Sequence, residues 1–509
     1  MKSNKHKIKS KIIIIILLTL LFFHSGIYST NLIKASITKD KHDNLFSQLI
    51  YSARIGSGEK PNPKDEYSIL DDVNSIAIDE NGNVYVCGRT SSNNFPTTDN
   101  AFDFTHNGKI DAFVMKLNPS LTEILYSTYI GGSEVDEALS IAIDSDGYAY
   151  ITGGTLSNDF PVTTDIEETK SVICARAFLC KLSPDGSNLI YSTCYTMKFD
   201  NSYGKDITVG QNNCAYIAGQ TWTDPDIDLI FVMEVNPLDK YNILFLTYYG
   251  GSGGESSPSI AVDKDGEIYV TGYTWSHDLP VTPDAFQKKK VSPEYAHVGF
   301  IFKLDSTGSN LLYSTYIGGS GRDEVNSIAV DENKCVYITG STFSTDFPIT
   351  QNSFQKEKNI VRDGFVVKID TKIGGDAELV FSTYIGGSDF DRVKSISVDE
   401  DNNIFIAGET SSKDFPITLS TFDFSLYKEL STDWFISILD KTGSKLLYSV
   451  GIGGNKNEWV NDITLDSSNC INIAGFTNSE NFPLKKDSQL VKGDIIIIKL
   501  KPCFVPSFY

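Results

Sequence analysis

Histidine is scarce, with six in 509 residues. Beyond residue 35 they are His42, His106, His277 and His297, and none of them stands at metal-ligand spacing from another. No G-x-S-x-G elbow, phosphate-cradling glycine loop or dinucleotide fingerprint falls in its proper context, which removes the usual sequence routes to hydrolase, nucleotide and redox chemistry. No stretch past the first 35 residues sustains a helical period, so all-helical and alternating α/β classes are excluded. A second long apolar run is also lacking, as is a C-terminal anchor. Positive charge is in deficit: 44 Lys and Arg face 65 Asp and Glu, for a net charge of −21. Such a chain repels phosphate backbones, so a nucleic-acid partner is not expected.

What is present begins with an address. Lys2, Lys5, Lys7, Lys9 and Lys11 precede the apolar run Ile12–Phe23, whose twelve residues are too short to span a bilayer comfortably. Small and polar residues follow, with Ala35 or the Ser29/Thr30 region as cleavage points. Residues 1–35 read as a secretory signal peptide and 36–46 as a short linker, a retained anchor being the alternative. No cysteine follows the run to take a lipid. Residues 1–35 hold six lysines and no acid, so their removal leaves a charge of −27. The expected product is secreted or held at the cell surface, with no transmembrane segment in the mature chain.

Eight cysteines in an exported chain suggest disulfides. The repeats described next argue otherwise. Cys214, Cys335 and Cys470 share one column of three different copies, and Cys87, Cys180 and Cys194 replace Thr or Ala, Met and Tyr of sister copies. Equivalent positions in different repeats lie too far apart to be bridged, so most of these cysteines are expected to be small buried apolar residues. Cys174 with Cys180 or Cys194 stays open as a local pair.

One phrase recurs. STYIGGS stands at Ser127–Ser133, Ser314–Ser320 and Ser382–Ser388, LTYYGGS at Leu246–Ser252, and worn versions begin near Tyr51, Tyr191 and Tyr448. The opening aromatics of the seven copies are spaced by about 66 residues on average. Each copy holds four short runs rich in Val, Ile, Tyr and Thr and ended by Gly, Asp or Asn, as in Leu311–Ile317, Ser327–Val330, Cys335–Thr339 and Gly364–Ile369. A tight turn such as Asp79-Glu80-Asn81-Gly82 joins the second run to the third. A longer loop carrying Phe-Pro, as at Phe95-Pro96 and Phe347-Pro348, joins the third to the fourth. Four antiparallel strands in each of seven units predict an all-β, seven-bladed β-propeller over residues 47–501, with 502–509 a C-terminal tail. The first run, Leu49–Ile55, is predicted to pair with Asp494–Leu500 and close the ring.

The phrases Tyr126–Ser133, Ser327–Asp331, Tyr337–Thr342 and Asp346–Thr350 resemble the SBBP (seven-bladed β-propeller) repeat of exported bacterial proteins, and the resemblance covers about residues 47–501. It implies fold and export and brings no catalytic motif. The third copy departs: Tyr195-Thr196-Met197 replaces the Gly-Gly, and Asp224–Asp228 stands where the Phe-Pro loop belongs.

Two candidate sites follow. Asp71, Asp136, Glu255, Asp323, Asp391 and Glu458 stand in six copies four residues before the inner-strand Ser column, as a carboxylate ring at the channel mouth. Such oxygens suit a hard cation such as Ca²⁺; the alternative is that each caps the backbone of its own Gly-Gly turn. The Asp-x-Asp-Gly turns lack the downstream Glu of a calcium loop and read as hairpin turns. Trp222, Trp275 and Phe343 replace small or aliphatic residues on consecutive copies, where they form an aromatic wall suited to stacking on a sugar or gripping a peptide; the alternative is that they cover the gap left by the short loop. Insertions at Ser57–Tyr67 and Lys288–His297 read as surface loops, the second basic enough to dock an acidic polymer. Few charged residues on the rim are read as unmatched in sister copies, so no catalytic residue and no cofactor is assigned. The expected function is that of a monomeric, non-catalytic binding or structural module for a protein or glycan. The alternative is a secreted glycoside hydrolase or lyase.

Overall fold

The computed structural model describes residues 49–58, 71–163, 174–199, 201–223, 227–236, 242–359, 361–371, 379–418, 431–485 and 493–502. The leader, the linker, most of the Ser57–Tyr67 insertion, part of the Asp224–Asp228 segment and the tail from 503 lie outside them. Twenty-eight strands and no helix make up the described residues. They fall into seven four-stranded antiparallel sheets. Blade 1 runs from β2 (Asp72–Ile78) through β3 (Val84–Thr90) and β4 (Asp111–Leu117) to β5 (Ile124–Ile130), and blades 2 to 6 repeat that order. Blade 7 joins β26 (Glu458–Leu465), β27 (Ile471–Thr477) and β28 (Ile495–Leu500) to β1 (Leu49–Ile55), as predicted. β1 lies antiparallel to β28, with Ser52 opposite Ile498 and Ile55 opposite Ile495.

Burial on both faces explains the composition of the middle strands. Every residue of β4, of β7 (Ala149–Thr155) and of β16 (Val298–Leu304) is buried. Seven apolar layers fill the spaces between blades. One joins Ala53, Ile55 and Ile497 of blade 7 to Val73, Val86 and Phe113 of blade 1. Continuous apolar runs, rather than alternation, are what two-sided burial demands. The Phe-Pro loops plug these layers: Phe95 lies 4.4 Å from Phe113 ring to ring, Phe347 4.5 Å from Phe365 and Phe415 4.4 Å from Phe435.

The cysteines follow the column argument. Cys87, Cys180, Cys194, Cys214, Cys335 and Cys470 are buried, and all seven described cysteines, Cys174 included, are thiols. The local pair left open for Cys174 therefore does not form.

The hairpin turns at the lower rim consume their own aspartates. Asp144 accepts the N–H groups of Asp146 and Tyr148 at 3.1 and 2.9 Å, and Tyr150 Oη donates to it at 3.1 Å. Lys181 Nζ stands 3.1 Å away, buried beside it. Asp331, Tyr337 and Lys368 repeat the arrangement in blade 5.

The seven innermost strands β2, β6 (Asp136–Ile143), β10 (Asn201–Val209), β14 (Glu255–Val262), β18 (Asp323–Val330), β22 (Asp391–Val398) and β26 surround the central channel. Each carries a bulge at the same place, for example between Val325 and Ser327. That bulge, absent from the sequence reading, sets which side chains line the channel.

Candidate functional site: the channel mouth

Immediately after each bulge one residue points to the axis: Ser75, Ser140, Asp206, Ser259, Ser327, Ser395 and Asp462. Five serines and two aspartates thus form a constriction. Asp206 accepts the hydroxyls of Ser140 and Ser259, both at 2.8 Å, and the N–H groups of Ile207 and Ile260, both at 2.9 Å. Asp462 does the same across blade 7, accepting from Ser75 Oγ at 2.9 Å, Ser395 Oγ at 2.8 Å, Ile76 N at 3.1 Å and Ile463 N at 2.8 Å. Burial pushes the Asp462 carboxyl up to about 6 despite these donors. Both acids replace the serine of their column, a break in symmetry that was visible in the sequence and was missed.

Above the constriction the repeat loses its uniformity. One residue before the ring stand Asn74, Leu139, Lys205, Pro258, Asn326, Lys394 and Asn461. Three before it stand Asp72, Glu137, Tyr203, Arg392 and Trp459, and the facing ends of the second strands add Arg89, Glu409 and Phe476. No two blades agree across these columns. A cavity of about 550 Å³ opens here, mainly on blades 6, 7 and 1. The expectation of few unmatched charged residues on the rim is therefore wrong. They lie at strand ends rather than in the loops, and they emerge only when the strands are aligned on the bulge.

The acids of the mouth are mostly engaged. Arg89 lies 3.5 Å from Asp72 and 3.0 Å from Glu137. Arg362 pairs with Glu324 and His297 approaches it at 3.4 Å; against the cost of burial, these hold the Glu324 carboxyl down to about 2. Burial pushes the Glu409 carboxyl up. Among the described residues no group of three or more His, Cys, Asp and Glu is placed to hold a metal ion.

The six predicted ring carboxylates lie elsewhere. Asp71, Asp136, Glu255, Asp323, Asp391 and Glu458 are each 3 % exposed or less, turned into their blades and away from the channel cavity. Asp136 accepts Gly132 N and Ser157 Oγ, both at 2.7 Å. Glu255 accepts Gly251 N at 3.2 Å, Thr274 Oγ1 at 2.8 Å and Ser276 Oγ at 2.5 Å. Each of these acids ties the Gly-Gly turn, or in Asp71 the Ser57 N–H, to the end of the second strand. A side chain at Gly132 would come within 2.5 Å of Asp159 Oδ1 and 2.7 Å of Ser157 Cβ, which is why the turn is glycine. In blade 3 the serine that replaces the acid, Ser202, accepts Ala177 N–H at 3.1 Å.

The aromatic wall stands on the same rim, on blades 3 to 5. Trp222 stacks on Tyr203 at 5.4 Å and 15°. Trp275 meets Tyr273 and His297 edge-on at 5.5 and 5.0 Å. Phe343 is 44 % exposed, with the Arg362 guanidinium 5.4 Å above its ring. The Lys288–His297 insertion is less basic than it reads, because Lys290 is buried and donates to Pro293 O at 3.0 Å while His297 is buried against Tyr273.

Seven four-stranded blades closed by the first strand define a seven-bladed β-propeller. More narrowly, the chain is an SBBP-repeat propeller: the SBBP model, described as a beta-propeller repeat, matches residues 50–96, 125–161, 244–280, 312–348 and 380–416. A similar curated protein is the Regulatory protein FlaEY of Caulobacter vibrioides, 23 % identical over 346 residues, which are 62 % of this chain; the chain spans about a third (33 %) of that protein. Among solved structures, a Trypanosoma rangeli sialidase matches 88 % of this chain and 59 % of its own at 10 % identity and a TM-score of 0.37. A neuraminidase-like protein of A/flat-faced bat/Peru/033/2010 (H18N11) matches 90 % and 98 % at 9 % identity and 0.36. A protein of unknown function from Bacteroides caccae matches 67 % and 89 % at 11 % identity and 0.34.

Proposed function

We propose that this propeller is an exported, non-catalytic binding module that takes its ligand, a glycan or a protein, at the upper rim. One observation carries the reading: residues that break the seven-fold repeat converge on that rim, as Arg392, Lys394, Trp459 and Phe476 on one side of the channel and Trp222, Trp275 and Phe343 on the other. The lower rim keeps its repeated turns. A framework held constant under one variable face is the arrangement of a recognition surface.

Binding without turnover fits the carboxylates. Glycoside hydrolysis uses two carboxyl groups flanking the bond. Here Asp72, Glu137 and Glu324 are held by arginines, which leaves Glu409 as the cavity carboxylate outside any ion pair among the described residues. The ring works as a monomer in this reading, and the basic leader directs it out of the cell.

The test is retention of the protein on envelope fractions and a glycan array, with hydrolysis products assayed in parallel. Trp222→Ala with Trp275→Ala should lower retention at least tenfold while a lower-rim variant, Asn81→Ala, leaves it unchanged. Equal retention by all three proteins would remove the rim as the binding face, and released sugar would replace binding by turnover.

A further inference from the structure

The lining of the mouth cavity carries an excess of positive charge in a protein whose net charge is −21: three cations stand against Asp72, which Arg89 holds, and Glu409. Lys205, Arg392 and Lys394 all line it. Among the described residues no carboxylate lies within ion-pair distance of any of the three, whereas Lys116, Lys181, Lys303, Lys368 and Lys499 are each so paired. Asp206 and Asp462 below do not fill that role, since each is already bound by two hydroxyls and two backbone N–H groups. Arg392 Nε is buried and finds no hydrogen-bond partner there. Burial pulls the ammonium groups of Lys205 and Lys394 down, the latter to about 8. Glu409 acts on Arg392 and Lys394 from beyond ion-pair distance, and that one carboxylate leaves the three desolvated cations in excess; such clusters are costly to a fold and mark places where a ligand supplies the missing charge.

The remaining lining narrows the ligand. Trp459 lies beside Phe476, 5.5 Å between rings, and the two give the cavity one aromatic wall. Asn74 and Asn461 add amides on the same side. The volume of about 550 Å³ lies in the range of small-molecule sites, about 300–1,000 Å³. The Ser/Asp constriction narrows the space below to about 150 Å³, which favours a compact terminal group over a through-threaded strand.

We propose that this cavity binds a carboxylated sugar, its carboxylate among Arg392, Lys394 and Lys205 and its ring against Trp459. The guanidinium fork takes a planar carboxylate through two parallel hydrogen bonds, the lysines add charge, and the amides meet hydroxyls. The assignment rests on the rim being the binding face and adds the class of ligand.

Titration calorimetry of the whole protein tests it, with D-glucuronate, D-glucose, inorganic phosphate and a short glutamate peptide as probes. Glucuronate should bind, glucose at least tenfold more weakly. Arg392→Gln and Lys394→Met should each weaken glucuronate at least tenfold and Trp459→Ala several-fold, while all three variants melt cooperatively. Asn81→Ala, an exposed position on the lower rim, should leave glucuronate binding unchanged. Absence of glucuronate binding overturns the proposal even where rim-dependent retention on envelope fractions persists. So does phosphate or the peptide binding as tightly as glucuronate, and so does a Lys394→Met variant with wild-type affinity.

Discussion

At the scale of single residues, the molecule stores acidity at its blade junctions. Asp111 of blade 1 meets Asp136 of blade 2, Asp363 meets Asp391, and Asp433 meets Glu458. One oxygen of each, such as Asp111 Oδ1 and Asp136 Oδ1, is buried with no hydrogen-bond partner among the described residues. Burial first, then the facing charge, pushes Asp111 and Asp391 up to about 7. A carboxyl whose folded pKa exceeds its unfolded 3.8 favours the fold while protonated. That contribution is whole below about pH 4 and is lost as pH rises through about 7. Thermal stability should therefore fall from pH 5 to pH 8. Self-repulsion of the net charge acts in the same direction, so the decisive measurement is a difference between two proteins. Asp111→Asn should reduce the fall by on the order of 2 kcal/mol, since each tenfold change in acidity between folded and unfolded chains is worth about 1.4 kcal/mol. An unchanged slope by differential scanning calorimetry would rule out Asp111 as its source.

The same scale shows how much of the site could be read from sequence. The six acids and their Gly-Gly turns were legible because the spacing repeats. Asp206 and Asp462 were legible too, as the two departures from a serine column. Lys205, Lys394 and Trp459 were harder. Strand alternation puts a residue on the other face with each step, and the inner-strand bulge adds one residue to that count. Without the bulge, the channel-facing columns could not be assigned.

At the scale of the element, the bulge explains a column of glycines. Gly88, Gly153, Gly340, Gly408 and Gly475 sit on second strands opposite the bulged inner strand. A Cβ on Gly340 would overlap the Glu324 carbonyl oxygen, which is backbone and has nowhere to move. Gly340→Ala should cost about 3 kcal/mol or more, above the usual range for overpacking, because a strand and not a side chain must shift. Denaturant unfolding checks it, and a loss below about 1 kcal/mol would show that the bulge yields. The Phe-Pro loop offers the opposite case. Phe347 is 4 % exposed and lies against Phe365 and Tyr384, so Phe347→Ala removes volume the loop backbone cannot refill. The expected loss is about 3–5 kcal/mol in the same measurement. Strands, turns and plugs were readable because each follows local rules that the period repeats seven times; the bulge was not, since it shows only in the register between two strands.

At the scale of the whole molecule, one strand decides whether a ring exists. β28 is IIIIKL with every residue buried, and β1 covers its outer edge. Arg54 fastens the junction, donating from Nε to Gly493 O at 2.5 Å and pairing with Asp494 at 3.7 Å, and Lys485 N donates to Ser52 Oγ at 2.9 Å. Removal of residues 49–55 would leave four consecutive isoleucines on an open edge, the template along which strands aggregate. It would also thin the apolar layer between blades 7 and 1, which Ala53 and Ile55 help to fill. The deletion variant should therefore be insoluble or melt without cooperativity. A peptide of residues 49–58 supplied in trans should restore a cooperative melt, because the edge that aggregates is the edge that accepts an added strand. A scrambled peptide should not, since β1 must place Leu49 in one apolar layer and Ala53 and Ile55 in another, in register with Leu500, Ile497 and Ile495. A deletion variant that melts at the wild-type temperature would mean that the ring stands without its clasp, and that packing between blades alone holds blade 7 in place.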